Sequence, residues 1–451
     1  MPEARVTRLR LPHPYLLLVV CVAIAAAFTW ILPAGEYDRR DDPATGRRVV
    51  VAGTYHAVEA RPVGAFGVAV AVPRGFIAGA DVIISILLIG GAWVVVDRMG
   101  TLSRAVGALV RRLRRRGLLA IPLMTLLFAS MGAIENMQEE IIPMIPVLLL
   151  LGRRLGVDAV TVVAMSAGAA IVGSAFGPTN PFQAGIAMKL AELPPLAGGG
   201  LRLAMFAVGV ALWSLWTLRH ARRNRVAVVV DAEVDQAPFT GRDGVIMTLV
   251  LLPFAAYVYG ALALGWGFNE LSGAFFVGAI AAGLVGGLRL DGTIKSYIEG
   301  MQLLLPAAML VGVARSISLV LADGRVIDTI LNALATPLSG VSSATAAILM
   351  VPLHTIIHVP VSSVSGQAAL TMPVLVPLSD LIGLSRQITV LAYQTGAGLC
   401  DMITPTNGAL LAVLLAADVP LPRWLRFAAG GWVIMTAVGI AGILVALAVG
   451  L

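Results

Sequence analysis

Long apolar runs separated by short polar, arginine-bearing stretches recur along the whole chain. Runs at about 15–33, 81–96, 201–218, 244–262, 270–288, 301–321 and 427–449 have the length of roughly 20 residues that crosses ~30 Å of hydrocarbon as a helix. Two further runs are interrupted. Residues 158–190 are apolar up to Ala175, break at "FGPTNPF" (Phe176 to Phe182) and resume. Residues 386–417 break at "ITPTNGALL", with Pro405 falling 405 − 178 = 227 residues after Pro178. Together these predict an all-α polytopic membrane protein with nine crossings, two of them broken helices.

Two segments do not fit as crossings. Residues 118–151 enter apolar, turn polar at "AIENMQEE" and leave as "IIPMIPVLLLL". Residues 341–381 enter apolar, turn polar at "HVPVSSVSGQ" and leave as "LTMPVLVPL". Both read as re-entrant hairpins, the first opening to the cytoplasm and the second outside. A repeat is then visible, since "IIPMIPVLL…LGVDAVTVV…GPTNP" parallels "LTMPVLVPL…IGLSRQITV…TPTNG". Each half runs span, span, hairpin, broken helix, span. The pattern divides the chain into a first repeat at 1–218, a linker and connecting helix at 219–269, and a second repeat at 270–451. The one extra crossing between equal halves inverts the second against the first. Inverted repeats with discontinuous helices mark secondary transporters.

The breaks make physical sense in that setting. Irregular backbone is tolerated at membrane depth only where protein or a water-filled cavity receives it. Asn180 can cap the resumed helix, and Pro181 has no amide hydrogen to lose in its first turn. The helix start then offers partial positive charge to an anionic group. Freed carbonyls with the oxygens of Thr179, Asn180, Thr404, Thr406 and Asn407 suit a hard cation such as Na⁺.

Composition and charge narrow the class. The chain is 58% hydrophobic and 13% charged over 451 residues, with a mean hydropathy of +0.91. Of the 32 basic residues 30 are Arg, and the net charge is +7. In a soluble protein this would raise nucleic-acid binding. Here the Arg cluster in short loops, at 111–117, 152–154, 219–225 and 423–426. The positive-inside rule places those loops, and the N-terminus, in the cytoplasm of a bacterial inner membrane. Arg39, Arg40, Arg47, Arg48 and Arg61 run against the rule in the external loop 36–62. The first apolar run reads as an uncleaved span, being longer than a signal-peptide core. Cys21 and Cys400 have no spacing that suggests a disulfide or a metal site.

The segments "PHPYLLL…WILPAGEYDR", "NMQEEIIPMIP", "NPFQAGIA" and "SGQAALTMPVLVPLSDLIGLSRQITVLAYQ" resemble the YfcC-type transporters of the C4-dicarboxylate anaerobic carrier family, within the ion-transporter superfamily. The resemblance covers nearly the whole chain. It implies scaffold and transport units, hairpins within the transport unit, homodimers and an elevator-type cycle. It also implies a substrate drawn from C4-dicarboxylates or basic amino acids. The chain departs from the family's more Ser-rich break with "PTNG", and from its Gly-Asp-Gly with "GAGLCD".

The candidate site residues follow from the tips and breaks. Glu135, Glu139 and Glu140 in the first tip are costly inside a bilayer and point to a bound cation, a proton relay or a cationic substrate. Asn136 and Gln138 would be neutral ligands beside them. In the second tip Ser362, Ser363, Ser365, Gly366 and Gln367 offer hydroxyls, a flexible turn and an amide without adding charge. Acidic against neutral, the two tips suit a zwitterion or cation better than a dianion, unless cations bind with it. Asp401 precedes the second break by four residues. His354 and His358, at i and i+4, share one helical face and form a candidate proton-coupling pair. No cofactor is expected, and the coupling ion would be Na⁺ or H⁺. A passive channel is the nearest alternative. For an intramembrane protease the chain offers only "GAGLCD", a superficial match, and a Ser365–His358 dyad that the sequence leaves open, but a hydrolase has no use for a repeat, so no enzymatic activity is expected.

Overall fold

The computed structural model describes residues 14–42, 47–112, 117–178, 180–194, 196–228, 238–264 and 266–451. Helix α1 (Pro14–Ile31) leads into four short strands, β1 (Gly35–Glu36), β2 (Arg39–Asp42), β3 (Arg47–Val50) and β4 (His56–Ala57). β1 pairs with β4 and β2 with β3, both antiparallel. Helices α2 (Ala65–Ala78) and α3 (Ala80–Arg98) follow, then the amphipathic α4 (Thr101–Arg112). The sequence predicted one span at 81–96. The structure instead has helix from 65 to 98, interrupted only at Gly79. The first limb escaped notice because Pro73, Arg74 and two glycines dilute its apolar pattern.

The first hairpin comprises α5 (Ala120–Glu135), a tighter 3₁₀ turn at Glu139–Met144, and α6 (Ile145–Leu155). Asn136 at the tip adopts φ 59°, a left-handed conformation that Asn tolerates. The two ends of this hairpin adjoin, since a Cβ on Gly117 would lie 3.5 Å from Leu155. The first broken helix runs through α7 (Ala159–Val163), a π turn at Ala164–Gly168 and α8 (Ala169–Phe176), then a π turn at Pro181–Gly185 and α9 (Ile186–Leu190). Helix α10 (Gly199–Arg223) closes the first half and α11 (Gly241–Ala263) links the halves.

The second half repeats this order. Helices α12 (Phe268–Val285) and α13 (Arg289–Asp323) precede a short amphipathic α14 (Ile327–Ala335). The second hairpin is α15 (Ser343–His358) and α16 (Val364–Leu381). Its ends are tied by the Ser343 hydroxyl, which donates to the Ile382 carbonyl at 2.5 Å. The second broken helix comprises α17 (Arg386–Tyr393), a π turn at Gln394–Gly398 and α18 (Gly408–Ala416), and α19 (Leu421–Val449) ends the chain. Among the described residues eight helices are long and apolar enough to cross a membrane. α11 is not one of the eight, and three of its side chains lie outside the described residues.

The same 227-residue interval relates local details of the two halves. Gly156 (φ 69°) and Gly383 (φ 67°) turn the chain out of each hairpin. Asp158 and Ser385 then cap the broken helices, accepting from the Thr161 and Gln387 amides. Asn180 and Asn407 cap the resumed helices. Two tryptophans satisfy carbonyls freed by the irregular turns. Trp213 Nε1 donates to Ala164 O at 2.8 Å, and Trp424 Nε1 to Met402 O at 2.8 Å.

Much of the helix packing falls within two groups, or bodies, which also touch each other closely. α13 lies along α1, α2 and α3, while α12 packs on α3 and α11. α5 packs on α8, α10 on α8 and α19, and α15 and α19 on α17. The contact of α5 with α8 is backbone to backbone. A Cβ on Gly132 would sit 2.0 Å from Ala170 O, and one on Gly173 would sit 1.9 Å from Ala129 O. Between the bodies, α18 meets α13, and the Glu139–Met144 turn meets α3.

Candidate functional site

A cavity of about 410 Å³ lies where both hairpin tips and the second break meet α11 and α13. It falls toward the lower end of the ~300–1,000 Å³ typical of small-molecule pockets. Glu135, Asn136, Gln138, Glu139 and Glu140 line it from the first tip. Ser362, Ser363 and Ser365 line it from the second, and Asp401 and Asn407 from the second break. Phe182, Tyr257, Trp266 and Phe268 supply aromatic walls.

Other predicted residues stand one layer behind. Asn180 is fully buried and makes five hydrogen bonds. Its Oδ1 accepts from the Phe182 and Gln183 amides at 3.0 Å each. Its Nδ2 donates to Gly132 O (3.3 Å), Asn136 Oδ1 (3.0 Å) and Ser174 Oγ (2.8 Å). It therefore ties the first hairpin tip to the first break. Thr404 and Thr406 are buried and bond each other at 3.0 Å, while the Thr406 hydroxyl also donates to Val359 O. Gly366 places its amide on Ser363 Oγ at 3.3 Å, within the tip's own turn. Thr179 lies outside the described residues.

The second break holds a buried polar network centred on Asp401. Asp401 Oδ1 faces His358 Nε2 at 2.7 Å and Asn407 Nδ2 at 2.5 Å. Its Oδ2 accepts from Gln138 Nε2 at 3.0 Å. His358 Nδ1 lies 2.7 Å from Gln367 Oε1. Only an amide nitrogen can donate to a carbonyl, so the 2.8 Å contact of Gln367 with His354 O assigns Nε2 there. That leaves Gln367 Oε1 to accept from His358 Nδ1–H. One proton then lies between His358 Nε2 and Asp401, and with two amides already donating to Asp401, the imidazolium–carboxylate arrangement satisfies every group. His354 is different. It packs edge-on against Tyr393 at 5.3 Å, and its Nε2 is buried with no partner. The two histidines thus share a helix but not an environment, and His358 alone reaches a carboxylate.

The first tip lacks such satisfaction. Glu135 is buried, and its Oε1 has no hydrogen-bond partner. Glu140 Oε2 accepts from the Gln138 amide at 3.1 Å. The charged neighbours of Glu139 include Arg315, Asp401, Asp81 and Glu140. A buried carboxylate oxygen without a donor is costly, and a bound cation is one group that could satisfy it.

Sequence reasoning missed Arg315, which lines the cavity from α13. The signal was there, since it is the single charged residue between 301 and 321, and an ionisable group inside a span is a functional candidate by default. It also missed Arg202, fully buried on α10. Arg202 donates to Gln394 Oε1 at 2.7 Å and Gln387 Oε1 at 3.1 Å, and so holds the second broken helix.

Residues 11–448 match the family described as C4-dicarboxylate anaerobic carrier. The chain belongs to that family. It is 31% identical over 478 residues, 95% of this chain and 94% of the other, to the Escherichia coli (strain K12) protein named "Putative basic amino acid antiporter YfcC". It is 26% identical over 474 residues, 92% of this chain and 93% of the other, to an uncharacterized protein of Haemophilus influenzae. Two solved transporters align with it along most of their length. The Alcanivorax borkumensis YdaH transporter shows 19% identity and TM-score 0.44, covering 97% of this chain and 99% of that one. Neisseria gonorrhoeae MtrF, from a class of antimetabolite efflux pumps, shows 17% identity and TM-score 0.42, covering 96% and 94%. Membership places this chain among multi-pass membrane proteins that act as secondary transporters, not enzymes.

Proposed function

We propose that this chain is a proton-coupled exchanger for a small amino acid, with the basic amino acids as its class. It would bind that substrate between the two hairpin tips and present it to either side of a bacterial inner membrane. The observation that carries the reading is the composition of the 410 Å³ cavity. It sets three glutamates on one tip against neutral serines on the other, beside a histidine–aspartate pair holding one proton. A C4-dicarboxylate would face those carboxylates with a single arginine in reach. A cationic amino acid relieves them, and the relative named as a basic amino acid antiporter points the same way.

Coupling follows from the proton count. With His358 protonated, the Asp401 network is electrically balanced. When that proton leaves, the cavity gains one negative charge and the affinity for a cation rises. Entry of substrate cation and loss of a proton are then linked, and reciprocally so. The two-body packing, with α13 and α3 of one body touching α18 and the first tip of the other, supports an elevator-type movement of hairpins and broken helices against the rest. The matched 227-residue interval supports an inverted repeat as the basis of two equivalent states. The N-terminus would be cytoplasmic, and two copies would associate as a homodimer.

The test is reconstitution of the purified protein into proteoliposomes carrying an internal pH probe. Labelled arginine should exchange, and its movement should carry protons the opposite way. Uptake of succinate but not arginine would overturn the substrate class. Arginine exchange that depends on Na⁺ and moves no protons would overturn the coupling.

A further inference from the structure

Arg315 is the one cation lining the cavity among the described residues, and Glu139 is a charged neighbour of it. The arginine belongs to α13, which lies along α1, α2 and α3, whereas the glutamates belong to the hairpin of the other body. Among the described residues it makes no hydrogen bond and no ion pair. Its aliphatic stem passes the interruption between α2 and α3, where a Cβ on Gly79 would lie 3.5 Å from Arg315 Cγ. The guanidinium is thus delivered, half-buried, to the same cavity as Glu139, with its planar fork of donors unused. From the first hairpin tip, which lines the same cavity, Glu135 leaves a buried oxygen unpartnered. α13 thus offers unused donors to the cavity and the tip an unused acceptor.

Resting on the amino-acid reading above, we propose that Arg315 anchors the substrate's α-carboxylate while Glu135, Glu139 and Glu140 receive its cationic groups. The cavity then selects amino acids over the amines left when that carboxylate is removed. A guanidinium binds a carboxylate through two parallel N–H···O bonds, which fixes orientation as well as adding energy. A diamine would satisfy the glutamates but leave Arg315 facing carboxylates at a distance, with its donors unmet. A dicarboxylate would satisfy Arg315 once and place its second carboxylate against the glutamates. Only a ligand carrying both signs satisfies both walls. The same geometry makes the ligand a bridge between the two bodies, because the arginine and the glutamates lie on different ones.

The competing role for Arg315 is to neutralise Glu139 and touch no ligand. Equilibrium binding to the full-length protein in detergent separates the two. The ligands are arginine, agmatine (the same molecule without its carboxylate) and succinate, and the proteins are wild type, Arg315→Gln and Arg315→Lys. Wild type should bind arginine at least about tenfold more tightly than agmatine, the range expected for hydrogen bonds to a charged group. Arg315→Gln should weaken arginine by about tenfold or more and change agmatine by less than about threefold, so that discrimination collapses. Arg315→Lys, which keeps charge but loses the fork, should fall between. Equal loss for both ligands in Arg315→Gln, or an increase for agmatine with arginine unchanged, would assign the neutralising role and overturn the anchor. Should Arg315→Gln elute aggregated, the arginine-to-agmatine ratio of Arg315→Lys decides, an unchanged ratio overturning the proposal. Binding of succinate alone by wild type would fail the amino-acid reading itself, a result distinct from arginine binding that ignores residue 315.

Discussion

Replacing Asp401 by Asn keeps the shape of the side chain and removes the acceptor on which the proton inventory depends. Asp401 accepts at Oδ1 from His358 and Asn407 and at Oδ2 from Gln138. Asn has one oxygen and one NH₂. If its oxygen takes the Oδ1 place, its NH₂ faces the Gln138 NH₂, and Gln138 must turn over to offer its oxygen. That adjustment is cheap. His358 has no such escape, because its Nδ1–H is held by Gln367 Oε1 at 2.7 Å. It either stays charged without a counter-ion, or loses its proton and points a lone pair at the Asn oxygen. Removing one partner of a buried ion pair costs about 3–5 kcal/mol. The neutral outcome instead costs about 1–3 kcal/mol, the price of one unsatisfied buried group. We expect Asp401→Asn to lose about 1–3 kcal/mol in reversible unfolding from mixed micelles. His358→Gln should lose a similar amount. The double variant should lose less than the sum, with an interaction energy of about 0.5–3 kcal/mol. In proteoliposomes Asp401→Asn should still exchange arginine for arginine while moving no protons. Unaltered proton movement per arginine, or strict additivity in the double variant, would refute the dyad as the coupling site.

Further expectations concern other parts of the molecule. Glu139→Gln or Glu140→Gln should weaken arginine binding itself, measured at equilibrium on the purified protein, and unaltered affinity in both would show that they are only interfacial. Asn180→Leu removes five hydrogen bonds and should lower yield and thermal stability. Asn407→Leu should damage transport more than folding, as measured by binding on the monodisperse fraction. Gly173→Leu forces a side chain into the Ala129 carbonyl, 1.9 Å from the new Cβ, and should prevent the first hairpin from docking, seen as aggregation on size exclusion.

The hairpins and breaks were legible because polar and helix-breaking residues inside apolar runs have few other uses in a bilayer. "AIENMQEE" and "PTNP" announce themselves without any knowledge of neighbours. The early part of the second span was not, because Pro73 and Arg74 look like a loop until α13 is present to pack on. Strands β1–β4 were hidden for a similar reason. Their polar residues are positioned by α14, where Asp328 accepts from the Tyr37 amide and from Arg39, both at 2.9 Å. The union of His358 with Asp401 joins residues 43 apart through the packing of α15 on the second broken helix. Periodicity cannot report such a pairing. Arg315 was visible as a lone charge, but only the fold shows that it faces the glutamates.

The matched interval also explains why one half of the molecule would couple to protons and the other would not. Position 174 in the first half corresponds to 401 in the second, and 180 to 407. In both, the capping asparagine donates to the side chain six residues before it, Asn180 to Ser174 and Asn407 to Asp401. The backbone arrangement is therefore repeated, while a neutral hydroxyl in one half becomes a carboxylate in the other. The tips diverge in the opposite sense. Glu140 of the first corresponds to Gln367 of the second, which bonds His358. On the proposed reading, repeated backbone gives two states of similar energy, and the exchanged side chains concentrate the titratable groups on one side of the cavity. The scaffold's own titration should then be separable from transport. Asp243 bonds Arg104 at 2.6 Å, Thr101 Oγ1 at 2.8 Å and the Thr240 amide at 2.9 Å, remote from the cavity. The Arg104 hydrogen bond first, then those from Thr240 and Thr101, outweigh burial and hold its carboxyl well below the usual carboxylate range. A depressed pKa means that its stabilisation is fully present above the unfolded-state value of about 4 and fades as pH falls through the lower folded-state value. Asp243→Asn should therefore lower the apparent unfolding midpoint at pH 5 to 8 by a constant amount, with the gap to wild type closing below pH 4. Across pH 5 to 8 the proton movement per arginine in that variant should match wild type. A gap that instead changes between pH 5 and 8, together with altered proton movement, would place Asp243 in the coupling machinery and break the separation of scaffold from site.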